Sequence, residues 1–171
     1  MKIFLLALVV LAVTAQCNLR VTSDEIDLDD YIKFVKGLLE GMDVKHDMEK
    51  ILKCIDNVPE AFHMIIALIE KIKHIDIRNI KEVVEIIVQI VGAVREVIDD
   101  ILPCVNSIDE IKKIIEKLSH IDFNKIIANF IANLYQITMD VMAAKTALEN
   151  QDYELFGKKL GHVLYMLFLA S

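Results

Sequence analysis

IRNIKEVVEIIVQIVGAVREVIDDIL, residues 77–102, carries the fold class in its spacing. Ile80, Val84, Ile87, Val91, Val94, Ile98 and Ile101 recur at intervals of 4, 3, 4, 3, 4 and 3, the period of one helix face. Arg78, Glu82, Glu85, Gln89, Glu96 and Asp99 fill the opposite stripe, broken by Gly92. Val and Ile favour strands locally, but a helical period sustained over 26 residues outweighs that preference. Val83, Ile90 and Val97 widen the apolar face, as for a central helix touching two neighbours. The expected class is an all-α, multi-helix bundle. Five Gly and two Pro agree, because a sheet protein turning every ~10 residues would need more turn residues.

Outward from this helix the chain repeats itself. IEKIKHIDIRNI (69–80) and IEKLSHIDFNKI (115–126) share seven of twelve residues at an offset of 46. ILKC (51–54) and ILPC (101–104) correspond at an offset of 50, so the copies differ by four residues, about one helical turn. Each unit reads as cysteine, helix, His-Ile-Asp corner and long helix, which gives tandem units at about 51–100 and 101–149. Two copies are too few for an open solenoid, so a closed bundle is expected. Asp76 and Asp122 are positioned to N-cap the helix after each corner.

Caps place the remaining helices: Asp27–Gly41, Asp47–Ile55, Pro59–Lys73, and one opened by the capping box Ser107-Ile108-Asp109-Glu110 and ending at Ser119. Phe123–Glu149 reads as a second long helix, and Asn150 as the cap of a last one from Gln151 to Leu169, making about seven in all. The end helices carry matched glycines, Gly37 and Gly41 in FVKGLLEG and Gly157 and Gly161 in FGKKLG. Spacing of four puts each pair on one face. Glycine costs about 1 kcal/mol there against Ala, which close backbone contact of the first helix with the last would offset. A glycine at a helix C-terminus is the alternative for Gly41.

Ile3–Ala15 is an apolar run behind Lys2 that ends in small residues, the pattern of a cleaved secretory signal peptide (1–15), leaving one helical domain at 16–171. The run of thirteen is too short for ~30 Å of hydrocarbon, and no transmembrane segment is expected elsewhere. Without Lys2 the chain has 18 basic against 26 acidic residues, a charge of −8, which disfavours nucleic acid and anionic lipid as partners. Secretion makes disulfides expected. Cys17, Cys54 and Cys104 allow three single bridges. Repeat correspondence favours Cys54 with Cys104, leaving Cys17 free or intermolecular, a route to a homodimer.

Candidate chemistry is sparse. His74 with Asp76 and His120 with Asp122 are metal-capable pairs, but neither has a third ligand at characteristic spacing, and helix ending and capping account for both. Asp24, Glu25, Asp27, Asp29 and Asp30 lack the Gly and Glu of a calcium loop and suit a helix start. No GxSxG, Walker, GxGxxG, HExxH or CxxC pattern occurs. No catalytic residue, metal site or cofactor is expected. Tyr31, Phe34, Phe62, Phe123, Phe130, Tyr135, Phe156 and Phe168, with Met42, Met64, Met139, Met142 and Met166, would line either an apolar core or a pocket for an apolar ligand.

Phe34, Gly37, Gly41, Cys54, Cys104 and the closing segment with Asp152, Tyr153, Phe156, Gly157, Leu160 and Gly161 resemble a family of small secreted helical proteins of ciliated protists. Its members share two spaced cysteines and a DYxxFGxxLG tail. The resemblance covers about Asp30 to Leu169 and implies secretion and an all-helical fold, with no assigned activity. Asp56-Asn57-Val58-Pro59 departs from the Gly-rich link usual after the first cysteine. The expected function is a secreted, non-catalytic module binding a protein partner or an apolar small molecule. A saposin-like membrane-active protein and an enzyme are the alternatives.

Overall fold

Asp27 starts the fold: its carboxylate accepts the Asp30 backbone N–H at 2.8 Å, and α1 runs Leu28–Gly41. The computed structural model describes residues 26–44, 48–72, 79–104, 109–120 and 122–169. The further helices are α2 (Met48–Leu52), α3 (Glu60–Ile72), α4 (Ile80–Ile101), α5 (Asp109–Ser119), α6 (Phe123–Ala132), α7 (Leu134–Glu149) and α8 (Tyr153–Leu164). A 3-10 turn, Leu102–Cys104, follows α4, and a π-helical turn, Tyr165–Leu169, follows α8. No strand occurs among the described residues, so the chain is an all-α bundle. The leader, Cys17, His74, Asp76 and the Ser107 cap lie outside the described residues.

Among the described residues there are eight α-helices where seven were expected, because the anticipated Phe123–Glu149 helix breaks at Asn133. There α6 and α7 meet at 87°. Asn133 leaves helical geometry (φ −113°, ψ 16°), and its side-chain Nδ2 donates to the Asn129 carbonyl at 2.9 Å. Its own carbonyl accepts the Ile137 N–H at 2.9 Å, so one residue closes α6 and opens α7. The break is tied down from the other side: Asn129 Nδ2 donates to the Leu167 carbonyl at 2.8 Å. Lys117 Nζ reaches the Leu169 carbonyl at 3.1 Å, so side chains occupy carbonyls of the widened final turn.

Two helix ends use the same closure. After α1, Val44 N–H donates to Leu39 O (3.0 Å) and Asp43 N–H to Glu40 O (3.1 Å), with Asp43 at φ 65°. After α7, Asp152 N–H donates to Ala147 O (2.8 Å) and Gln151 N–H to Leu148 O (3.0 Å), with Gln151 at φ 58°. Both are Schellman motifs whose left-handed residue is not glycine. This corrects the expected cap of the last helix. Asn150 ends α7, and Asp152 caps α8 by accepting the Leu155 N–H at 3.0 Å.

Gly41 therefore does not serve as the left-handed terminator of α1; it packs. An added Cβ on Gly37 would strike the Glu154 carbonyl oxygen and lie 2.8 Å from Lys158 N, and one on Gly41 would strike the Lys158 carbonyl oxygen and lie 2.8 Å from His162 N. Cβ atoms on Gly157 and Gly161 would strike the carbonyl oxygens of Phe34 and Leu38. The four glycines thus let α1 and α8 touch backbone to backbone. Lys36–Glu154 (2.8 Å) and Lys158–Glu40 (3.5 Å) flank the seam. Beside it Phe34 packs on Phe62 (ring centroids 4.5 Å) and on Phe156 (5.2 Å), joining α1, α3 and α8 in the core. In α4 the stripe from Val84 to Ile101 is buried as its spacing predicts, with Val94, Val97 and Ile98 fully inaccessible and Val83 partly buried.

Candidate functional site

An apolar pocket of about 280 Å³ opens between α4, α7 and α8. Val83, Ile87 and Ile90 of α4 form one wall, Ile137, Val141 and Met142 of α7 another, and Leu160, Val163 and Leu164 of α8 the third, with Ile69 and Phe130 completing it. The geometry follows from the break at Asn133, because a straight 123–149 helix would carry residues 137–142 away along the α6 axis. Thr138 and Lys145 supply the polar atoms of the lining. The Thr138 hydroxyl donates to the Leu134 carbonyl at 2.8 Å, and Lys145 pairs with Glu149 at 2.9 Å. What remains is a surface for shape and apolar contact. Among the described residues its lining holds no nucleophile–base pair.

Behind this wall sits a buried charge. Asp140 is 1% exposed and is held by Lys159 Nζ (2.9 Å), His162 Nδ1 (2.7 Å) and Gln136 Nε2 (3.1 Å). Burial pushes its carboxyl up, but the hydrogen bonds from Lys159, Gln136 and His162 outweigh that and hold it below the usual carboxylate range. The cluster locks α7 to α8 and so sets the width of the pocket. Sequence reading missed it, since Asp140 is the one charged residue between 126 and 144 and its basic partners are 19 and 22 residues away. That isolation was the available signal: a lone acid inside an apolar run must find a partner.

The other residues singled out from sequence take structural places or lie apart from the pocket. His120 Nδ1 contacts the Glu116 carbonyl at 3.0 Å, and Asp122 accepts the backbone N–H groups of Asn124 (3.0 Å) and Lys125 (3.2 Å), ending one helix and capping the next. Asp27, Asp29 and Asp30 cluster at the start of α1, where Asp27 caps and Lys33 pairs with the other two. Cys54 lies exposed after α2, and Cys104 ends the 3-10 turn after α4. The Met and aromatic set divides: Tyr31, Phe34, Met42, Phe62, Phe156, Met166 and Phe168 are core, Phe130 and Met142 line the pocket, and Met64, Phe123, Tyr135 and Met139 face solvent, as Met142 does over most of its surface.

No single described helix is long and apolar enough to cross a membrane; α6 and α7 together would be, but they are bent. Among curated proteins and among solved structures nothing matches the chain. One family model does, over residues 14–169, nearly the whole of the expected mature chain: this protein belongs to the SctB-like (secreted protein B-like) family.

Proposed function

We propose that this protein is a secreted, non-catalytic carrier of a small apolar molecule, bound in the pocket between α4, α7 and α8. The observation that carries the reading is the pocket itself: about 280 Å³, lined by aliphatic side chains, with its one cation neutralised by Glu149. That volume lies just below the roughly 300–1,000 Å³ of drug-sized sites and suits one slim apolar molecule. Membership in a family of secreted proteins supports an extracellular role, and the match begins at residue 14, beside the end of the apolar leader read as a signal peptide. We further propose that Cys54 and Cys104 are bridged, that Cys17 stays outside this bridge, and that the two cysteine-to-helix units descend from a duplication. The kinship with ciliate proteins rests on the DYxxFGxxLG tail and the cysteine spacing.

Native mass spectrometry after incubation with dodecanoic acid tests the binding reading. A one-to-one adduct is expected, and Val83→Trp, which fills the pocket from the α4 wall, should abolish it while leaving the thermal midpoint within a few degrees. No adduct with the wild type, or an undiminished one with Val83→Trp, overturns the reading.

A further inference from the structure

We infer that the pocket between α4, α7 and α8 takes an uncharged, slim amphiphile with one hydroxyl, a long-chain alcohol and not a fatty acid, and that Thr138 selects the hydroxyl. The inference rests on the carrier reading and narrows its ligand. The lining is graded. Ile69, Ile87, Ile90, Phe130, Ile137 and Leu160 are all buried and make a floor without a polar side chain. Thr138, Met142 and Lys145 fall at i, i+4 and i+7 on α7, and these half-buried or exposed residues form the rim. A molecule filling the pocket lays its tail on the floor and leaves its polar end at the rim, where only Thr138 and Lys145 can meet it with polar atoms. Seven residues separate the two, about 10 Å along the helix, so a small head group at one does not reach the other.

Both rim groups are already engaged, and what each has left defines the head group. The Thr138 hydroxyl gives its single proton to the Leu134 carbonyl at 2.8 Å, so towards a ligand its oxygen can only accept. Lys145 Nζ lies 2.9 Å from Glu149 Oε1, a carboxylate fixed one turn further along the same helix, so the pair brings no net charge to the rim. A carboxylate head also only accepts. It finds no donor at Thr138, and at Lys145 it competes with a carboxylate already tethered there. A hydroxyl head donates to Thr138 Oγ1 and disturbs neither internal bond. A hydrocarbon without a head would make no use of that oxygen, and an anionic head of any kind approaches a chain whose net charge is −7. Asp140 does not alter this balance, since it is absent from the lining and is closed by Lys159, His162 and Gln136.

Separate titrations of the full secreted chain with dodecan-1-ol and with dodecanoic acid, read by native mass spectrometry at neutral pH where the acid is ionised, test the inference. The alcohol is expected to bind about tenfold more tightly than the acid, the worth of one hydrogen bond. Thr138→Val, which keeps the shape and removes the oxygen, should weaken alcohol binding about tenfold and leave acid binding unchanged. Should Thr138→Val fold poorly and lose both adducts, Thr138→Ser, which keeps the hydroxyl, should retain the preference for the alcohol. Glu149→Gln leaves the charge of Lys145 uncompensated and should strengthen acid binding several-fold with no change for the alcohol. Acid bound as tightly as the alcohol by the wild type overturns the inference and leaves the carrier reading standing, as does alcohol binding undiminished in Thr138→Val. No adduct with either molecule overturns both.

Discussion

The α1–α8 seam and the α6–α7 elbow are both made by residues that look interchangeable with helix filler, yet they treat the backbone and the solvent in opposite ways. At the seam four glycines bring two helices into backbone contact, and an added Cβ strikes a carbonyl oxygen on the partner helix. At the elbow larger apolar side chains point outward with nothing on them. The seam has ion pairs along its flanks, whereas the elbow has no charged residue on its exposed surface between 126 and 144. A sealed joint and an open surface therefore belong to the same small bundle, and what separates them is where side-chain volume is allowed. Substitutions should report the difference as a large loss of stability at the seam and a small one at the elbow.

The largest expected effect is at the seam. Gly161→Leu should cost about 3 kcal/mol or more, since the clash is with the Leu38 carbonyl and helix backbone gives way less easily than a side chain. Thermal melting checks it, and an unchanged midpoint would dissolve the contrast between seam and elbow. Next comes the joint between the two regions. Asp140→Ala should cost about 2 kcal/mol, less than a fully buried pair, because Lys159 and His162 are 33% and 44% exposed and can turn to water.

The same carboxylate predicts a pH response. Its folded-state pKa is lowered, so its stabilisation is present above the unfolded value, about 3.9, and is lost as pH falls through the folded one. Melting midpoints should therefore drop more steeply below about pH 4 in the wild type than in Asp140→Asn. An identical acid slope in the two proteins would mean that Asp140 is no better stabilised when folded than unfolded.

A glycine outside the seam sharpens the comparison with the opposite sign. Gly92 lies in the middle of α4 with open space where a Cβ would go, so Gly92→Ala should stabilise by about 1 kcal/mol. Finally, Tyr135→Ser at the elbow should leave stability within about 0.5 kcal/mol by urea unfolding, because the ring is already in water. A larger loss would mean that Tyr135 is held by the bundle, and the open surface would shrink to its methionines.

How much of this was legible can be seen by setting α4 beside α6–α7. Both follow a His-Ile-Asp sequence, and both read as long apolar helices. In α4 each polar residue falls on one stripe, so period and structure agree. In the second stretch Asn129 and Asn133 stand at i and i+4, a spacing that a helix tolerates on one face; only the hydrogen bonds to Leu167 and Asn129 turn them into a corner. The signal was present as two asparagines in an apolar run, without the tertiary partner that gives it meaning. The glycine seam was legible because matched spacing on the first and last helices has few uses other than close approach. The pocket was not, since its walls come from α3, α4, α6, α7 and α8 at separations that no local pattern encodes.

By itself the sequence determined what is local and periodic: the helical class, the buried stripe of α4, the Asp27 and Asp122 caps, and the faces of the paired glycines. These depend on 3.6-residue geometry and on hydrogen bonds spanning a few residues. Only the tertiary structure decided that Asn133 breaks a helix, that Asp140 is sealed by α8, and that Tyr135, Met139 and Met142 face water while Val141 lines a pocket. The physical reason is that burial and polar satisfaction are properties of which surfaces meet, and neighbours distant in the chain set those surfaces for α6 and α7.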